Sequence, residues 1–121
     1  MENKENARSR IERFVKESLY NETETVTVYP WMYNLGLNST EMNVYAYLFN
    51  RLKHNPYKEM SVPSIELQNK FMLSRSRVNG ITQTLHKKEL IFKRVDGAGM
   101  YATSYYSLYP NLLNTRTDGN N

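Results

Sequence analysis

Two short helical patterns, residues 64–71 and 75–88, stand only three residues apart, and this closeness constrains the fold more than any other feature. Pro63 introduces the first pattern, and proline suits the first turn of a helix. Ser74 stands just before the second pattern, where a serine hydroxyl can cap a helix. We therefore predict two helices joined by a short turn. The residues expected to be buried are Ile65, Leu67 and Phe71 in the first helix and Val78, Ile81 and Leu85 in the second.

Two longer helical patterns precede this pair. Apolar residues recur at helical spacing from Ala7 to Tyr20, which predicts an amphipathic helix with Ile11, Phe14, Val15 and Leu19 on its apolar face. Asn38, followed three residues later by Glu41, predicts the start of another helix through a variant of the capping box. That helix should run to about His54, with Val44, Tyr45, Leu48, Phe49 and Leu52 on one face.

The chain after the helices has the pattern of a β-hairpin. Residues 90–95 and 100–108 are typical of strands, and between them lies Asp96-Gly97-Ala98-Gly99, whose glycines tolerate positive φ. A shorter extended segment is expected at 25–28, before Tyr29-Pro30. The tail after Pro110 has few apolar residues and is expected to be flexible.

Length and composition exclude several classes of protein. A chain of 121 residues has room for one domain with one core, and the absence of cysteine excludes a disulfide scaffold, a cysteine-ligated zinc site and a thiol nucleophile. The longest apolar run, 45–49, is far too short to span a membrane. The N-terminus lacks the apolar stretch of a signal peptide, so we expect a cytoplasmic protein without membrane contact.

The positive charge is concentrated in one stretch. The chain carries 16 basic and 12 acidic residues, a net charge of +4. Residues 74–94 contain six basic residues and one acidic residue, so their net charge of +5 exceeds that of the whole chain. This concentration suggests an anionic partner that meets this stretch.

Residues 37–109 resemble the winged helix-turn-helix family. The stretch from Ser64 to Val78 is similar to the family's helix-turn-helix, with a turn ending in Leu73-Ser74. The stretch from Leu85 to Ile91 is similar to the family's "Leu-x-Lys-Lys-Gly-Leu-Ile" entry to the wing, although Glu89 replaces the usual glycine. The resemblance implies an α+β fold, with a three-helix core and a β-hairpin wing over 25–110. Residues 1–24 would add an N-terminal amphipathic helix, and 111–121 a flexible tail.

The segments Val26–Pro30 and Tyr105–Pro110 are similar to winged domains of plasmid and phage proteins from Gram-positive bacteria. That resemblance implies an accessory or initiator role at a replication or conjugative-transfer origin. It is equally compatible with repression, and so transcription regulation, at an operator of the element's own operon.

The helix over 75–88 has an outer face suited to the major groove of DNA. At about 100° per residue, polar and basic side chains lie opposite the apolar ones. Arginine can bond guanine, and asparagine and glutamine can bond adenine. The predicted base contacts are Arg75, Ser76, Arg77, Asn79, Gly80 and Gln83. The predicted phosphate contacts are Ser74, Thr84, Lys87, Lys88, Lys93 and Arg94.

Gly80 allows two interpretations, because glycine inside a helix costs about 1 kcal/mol relative to alanine. It either permits close approach to DNA or reflects a kink or a tight contact with another helix. The predicted wing carries Asp96 but no cation at its tip, so we expect its contribution to come from Lys93 and Arg94. The tyrosines of the last strand can be stacking platforms or half-buried strand positions, and the second is more common. Trp31 is expected to be a core anchor or part of a subunit contact.

We expect neither an enzyme nor a metal or cofactor site. The two histidines, His54 and His86, have no carboxylate partner at metal-ligand spacing, and no glycine-rich loop precedes a helix. The predicted partner is double-stranded DNA, bound with sequence selectivity. The N-terminal helix is expected to pack either on its own domain or on the same helix of a second subunit, so a monomer and a homodimer are both compatible with the sequence. The alternative is a protein–protein interaction module that uses the winged-helix scaffold without specific DNA binding.

Overall fold

The computed structural model describes residues 6–20 and 26–110. Across these residues the chain is α+β, with helices and a small antiparallel sheet. In chain order the elements are α1 (Ala7–Tyr20), a 3-10 turn (Pro30–Asn34), α2 (Ser39–Leu52), β1 (Met60–Ser61), α3 (Ser64–Phe71), α4 (Arg75–Lys87), β2 (Phe92–Asp96), a second 3-10 turn (Gly99–Tyr101) and β3 (Thr103–Ser107). None of the described helices is long and apolar enough to cross a membrane.

The last strand lies in the middle of the sheet. The strand order is β1-β3-β2, and both pairings are antiparallel. Phe92 pairs with Ser107 at one end of the β2–β3 ladder and Asp96 pairs with Thr103 at the other. The predicted hairpin is therefore present. Its second strand begins at Thr103, because the glycine turn continues into the second 3-10 turn.

The core lies between α2, α4 and the sheet. Val44, Ala46, Leu48 and Leu52 of α2 are almost completely buried, as is Tyr106 at the centre of the sheet. The other fully or nearly fully buried apolar residues are Met32, Tyr45, Val62, Leu67, Val78, Ile81, Leu85 and Ile91. The core residues predicted on α4 are confirmed. The prediction for Ile65 is wrong, because its side chain is 57% exposed near the start of α3.

Side-chain caps mark the starts of α2 and α4. The Asn38 side chain accepts a hydrogen bond from the Glu41 N–H, while the Glu41 carboxylate accepts one from the Asn38 N–H, so the predicted capping box at α2 is confirmed. The Ser74 hydroxyl accepts from the Arg77 N–H at 3.1 Å and caps α4. Such caps satisfy N–H groups that have no partner within the helix.

Two other predictions differ from the structure in detail. The segment 26–28 has no regular secondary structure, and the 3-10 turn that follows it was not predicted. Helix α2 ends at Leu52 rather than His54, because the chain turns before Pro56. The predicted tail over 111–121 and the outer parts of the 1–24 segment lie outside the described residues.

Helices α3 and α4 end in the same unusual way. Met72 follows α3 with φ 56° and Glu89 follows α4 with φ 61°, both in the left-handed region. Leu73 N–H donates to the Gln68 carbonyl, and Leu90 N–H to the Leu85 carbonyl, each at 3.0 Å. These bonds are those of the Schellman motif, whose left-handed position usually holds glycine. Glu89 therefore adopts a conformation that usually holds glycine.

We predict that Glu89→Gly increases the free energy of unfolding by about 1 kcal/mol, because it removes the steric cost of a side chain at positive φ. Urea denaturation followed by circular dichroism would measure the change. Glu89→Gln separates the effect of charge, since it keeps the Cβ atom. Lys88→Gly is the positional control: φ is −80° at Lys88, so this variant should lose stability. Equal effects at 88 and 89 would contradict the explanation.

Candidate nucleic-acid interface

Burial of one side of α4 determines which residues face outward. Val78, Ile81, Thr82 and Leu85 are buried against the rest of the chain. The opposite side is a continuous exposed stripe, here called the outer stripe, formed by Ser76, Gly80, Gln83 and Lys87. The structure thus brings together four of the predicted contact residues on one surface, and no acidic residue occurs in α4.

One flank of the outer stripe adjoins the β2–β3 turn. The Arg75 guanidinium donates through Nη2 to the Gly99 carbonyl at 3.2 Å. Farther along the same flank, His86 Nδ1 accepts the Lys93 N–H at 3.0 Å, which joins α4 to β2. Asn79 lies between these two positions on the helix and is exposed. Arg75 is therefore held toward the turn and away from the middle of the outer stripe.

The other flank adjoins the start of α2. Arg77 and Thr84 line a cleft of about 270 Å³ together with Ser76, Gly80, Asn38 and Glu41. Lys88 belongs to the same flank, since its ammonium lies 3.9 Å from where a Cβ on Gly36 would stand. This cleft, the α2 cleft, contains one acidic side chain, that of Glu41.

Gly80 has open space around it. A Cβ atom built on Gly80 meets no other atom within 4 Å, leaving aside the helix's own backbone. Helix α4 is also unbroken from Arg75 to Lys87. A tight contact with another described helix therefore does not explain this glycine, and neither does an interruption of α4.

Lys93 is directed into the structure. Its ammonium donates to the Thr82 hydroxyl at 2.8 Å, and that hydroxyl donates to the Val78 carbonyl at 3.0 Å. Partial burial lowers the pKa of Lys93, because a charged ammonium is less stable away from water. The side chain predicted as a phosphate contact thus already has a partner on the inner side of α4.

Arg94 is also engaged within the chain. Its guanidinium donates from Nη2 to Glu59 Oε1 at 2.9 Å and from Nε to Glu59 Oε2 at 3.0 Å, and it lies 4.5 Å from the centre of the Tyr105 ring. Asp96 is 3.9 Å away. The hydrogen bond with Glu59 raises the pKa of Arg94. Arg94, the second strand cation predicted as a phosphate contact, therefore lies close to two carboxylates, those of Glu59 and Asp96.

Four cations of the 74–94 stretch remain exposed without an ion pair among the described residues: Arg75, Arg77, Lys87 and Lys88. All four lie on α4 or at its C-terminal cap. Ser74 is exposed, but its hydroxyl is used as the cap. The sequence places the positive charge on a helix and on the strand after it. In the structure, the exposed cations without an ion pair among the described residues lie on the helix and at its C-terminal cap.

Sequence reasoning missed a polar cluster that joins α2 to α3. Glu66 accepts short hydrogen bonds from the Tyr47 hydroxyl and from Arg51, and Arg51 also donates to the Tyr47 hydroxyl at 3.1 Å. Burial, followed by the hydrogen bond with Glu66, raises the pKa of Tyr47. Tyr47 and Arg51 are four residues apart on α2, but no sequence pattern connected them with Glu66.

The aromatic residues mainly pack against one another. Trp31 stacks with Tyr29 and makes edge contacts with Tyr45 and Phe49, while remaining 43% exposed. Tyr106 is buried, and Tyr105 lies beneath Arg94. Among the described residues no group of three or more histidine, cysteine or acidic side chains could hold a metal ion. His54 is exposed and His86 is partly buried.

Two solved structures are similar to the chain. One, a possible transcriptional regulator from Methanosarcina mazei Go1, is 16% identical with a TM-score of 0.45, covering 77% of this chain and 81% of that chain. The other, the N-terminal domain of a DNA binding protein, is 13% identical with a TM-score of 0.48, covering 98% and 97%. No protein-family model and no curated protein sequence matches.

We predict that Gly80→Ala increases the free energy of unfolding by about 1 kcal/mol, the difference in helix propensity between the two residues. The added methyl group meets open space. Gly97→Ala is the control: Gly97 has φ 88° and its Cβ would lie 2.9 Å from the Tyr101 carbonyl oxygen, so that variant should be destabilised. Thermal unfolding would measure both. A lower melting temperature for Gly80→Ala would contradict the prediction.

Proposed function

We propose that residues 25–110 form a winged helix-turn-helix domain that binds double-stranded DNA with sequence selectivity. In this proposal α3 and α4 are the helix-turn-helix, and β2 and β3 form the wing. Helix α4 enters the major groove, which is wide enough to admit an α-helix. The observation that carries the proposal is the outer side of α4, which is exposed, free of acidic residues and carries, on the stripe or on its flanks, four cations that have no ion pair within the described part of the chain.

The proposed contacts fall into two groups. Ser76, Arg77, Asn79 and Gln83 read base edges, and Gly80 lets the helix backbone approach the groove closely. Thr84, Lys87 and Lys88 contact phosphates, while Ser74 contributes by capping α4. Lys93 and Arg94 are not proposed as phosphate contacts, because their side chains already donate hydrogen bonds to Thr82 and Glu59. In this proposal the wing stabilises the position of α4 and does not contact phosphates through Lys93 or Arg94.

The biological setting we propose is that of an accessory or regulatory factor at an operator or at a plasmid or phage origin of replication or conjugative transfer. The support is the resemblance of Val26–Pro30 and Tyr105–Pro110 to winged domains of such elements.

We further propose that two copies pair through α1 when they bind DNA. All four apolar side chains of its apolar face, Ile11, Phe14, Val15 and Leu19, are at least half exposed. No described part of the chain covers them. The polar side of the helix carries charges of both signs, with an Arg8–Glu12 ion pair at 3.2 Å, so it can stay in water while the apolar sides of two copies meet. Dimers match the two half-sites of a palindromic operator.

Salt dependence tests the DNA-binding proposal. With several phosphate contacts, affinity for duplex DNA should fall steeply as salt increases. Lys88→Met should weaken binding to all sequences alike and reduce the slope of log K against log salt by about one. Lys93→Met removes the same charge from a side chain that faces inward. The slope of log K against log salt for this variant should therefore match that of the parent protein. Arg77→Ala should relax sequence preference.

Fluorescence anisotropy with a duplex selected from random sequences would measure these effects, after circular dichroism confirms that each variant is folded. A flat salt response in the parent would contradict DNA binding and favour the protein–protein interaction module. Equal losses for Lys88→Met and Lys93→Met would show that the inward placement of Lys93 does not govern binding.

Light scattering tests the dimer. With palindromic duplex in excess over protein, the parent should form complexes with the mass of two chains per duplex, whereas Phe14→Lys should form complexes with one chain per duplex and weaker overall binding. Ser9→Lys places the same charge on the opposite face of α1 and should leave the dimer intact. A dimer that survives Phe14→Lys would contradict pairing through this face.

A further inference from the structure

A second cleft lies on the other side of α4, between the start of α3, strands β1 and β3, and the β2–β3 turn. Its volume is about 440 Å³. We call it the turn cleft. The lining includes Gly99 at the turn and five residues with polar side chains: Ser61, Ser64, Gln68, Arg75 and Thr103. The function proposed above does not use it.

The polar groups of the turn cleft are suited to an anion. Three residues that line it, Ser61, Ser64 and Thr103, carry hydroxyl groups, and each hydroxyl can donate one hydrogen bond. Gln68 Nε2 already donates to the Ser64 oxygen at 3.1 Å, which leaves the Ser64 proton free to point elsewhere. Among the described residues that line the cleft, Arg75 is the only charged one, and none of them carries a carboxylate.

Arg75 is held beside this cleft. One of its guanidinium nitrogens donates to the Gly99 carbonyl, which ties the first residue of α4 to the β2–β3 turn. A guanidinium has five N–H donors. The remaining donors are available to a ligand in the cleft. The side chain that the sequence pattern assigned to base reading is therefore anchored on the flank of the helix.

The two clefts beside α4 differ in charge. The α2 cleft contains Glu41, whose carboxylate is held by the Asn38 N–H. The described lining of the turn cleft includes an arginine and no acidic residue. When a helix about 10–12 Å across lies in a groove about 12 Å wide, a phosphate backbone passes along each of its flanks. The turn cleft is the flank that receives a phosphate without repulsion from a carboxylate within it.

We propose that the turn cleft holds a backbone phosphodiester of duplex DNA, with Arg75 as its charged contact and the hydroxyls of Ser61, Ser64 and Thr103 as neutral donors. This inference rests on the proposed function. It changes the role of Arg75 from selecting a base to positioning α4 along the groove, since phosphate contacts carry no sequence information directly.

The first test places a negative charge in the cleft without harming the fold. Ser64→Asp puts a carboxylate on the first residue of α3, where an acidic residue favours the helix, so its melting temperature should not fall. Affinity for the selected duplex should fall at least about tenfold, because the carboxylate repels the phosphate. Asn69→Asp adds the same charge to an exposed position of α3 outside the cleft lining and should cost less than about threefold. Equal losses would overturn the proposal.

The second test asks what Arg75 contacts. Arg75→Gln should weaken all sequences by a similar factor and reduce the salt slope by about one, leaving the selected motif unchanged. Replacing duplex phosphates one at a time by neutral methylphosphonates should identify a position where the parent loses affinity and Arg75→Gln loses no more. A changed preference at one base pair would show that Arg75 reads a base and would overturn the proposal.

These outcomes separate the cleft from the function on which it rests. If the parent shows no salt-dependent binding to any duplex, both proposals fail. If the parent binds and Arg77→Ala relaxes its preference, while Ser64→Asp and Asn69→Asp behave alike, DNA binding stands and the turn cleft is not part of the interface.

Discussion

The burial of Val78, Ile81 and Leu85 determines what the chain offers to a partner, because it fixes the rotation of α4 about its own axis. Each of these side chains is at most 6% exposed. Turning the helix by one residue, about 100°, would replace them in the core by polar neighbours. Each apolar side chain brought out of the core would cost about 1.5–3 kcal/mol. The burial that forms the core therefore also determines which side chains of α4 form the outer stripe.

Neighbouring elements then give the two flanks of α4 different chemistry. The β2–β3 turn holds Arg75 on one flank, and the start of α2 presents Glu41 on the other. Lys93 and Arg94 do not add to the exposed charge, since Thr82 and Glu59 engage them. An apparent stretch of six cations thus becomes a narrower positive surface along a single helix. Net charge counted along a sequence overstates the positive surface wherever side chains turn inward or meet a distant carboxylate.

The reliable sequence predictions came from short-range physics. Asn38 with Glu41, and Ser74 before α4, act through backbone groups three residues away, so sequence alone can show both the cap and its partner. The partners of Arg94 could not be predicted in this way. Glu59 lies 35 residues away and approaches only because β1 and β2 both pair with β3. The turn cleft was missed for the same reason, since its lining comes from α3, α4 and the sheet together.

Met72 and Glu89, the residues with positive φ after α3 and α4, are two positions at which we expect glycine to raise the stability of this chain. Both positions keep side chains in a conformation that glycine adopts without steric cost, and neither belongs to the outer stripe. A protein that acquires a new binding preference usually loses stability through the substitutions that alter its contacts. We expect a single change to glycine at either helix end to offset such a loss. The outer face of α4 can therefore diversify without any repacking of the core.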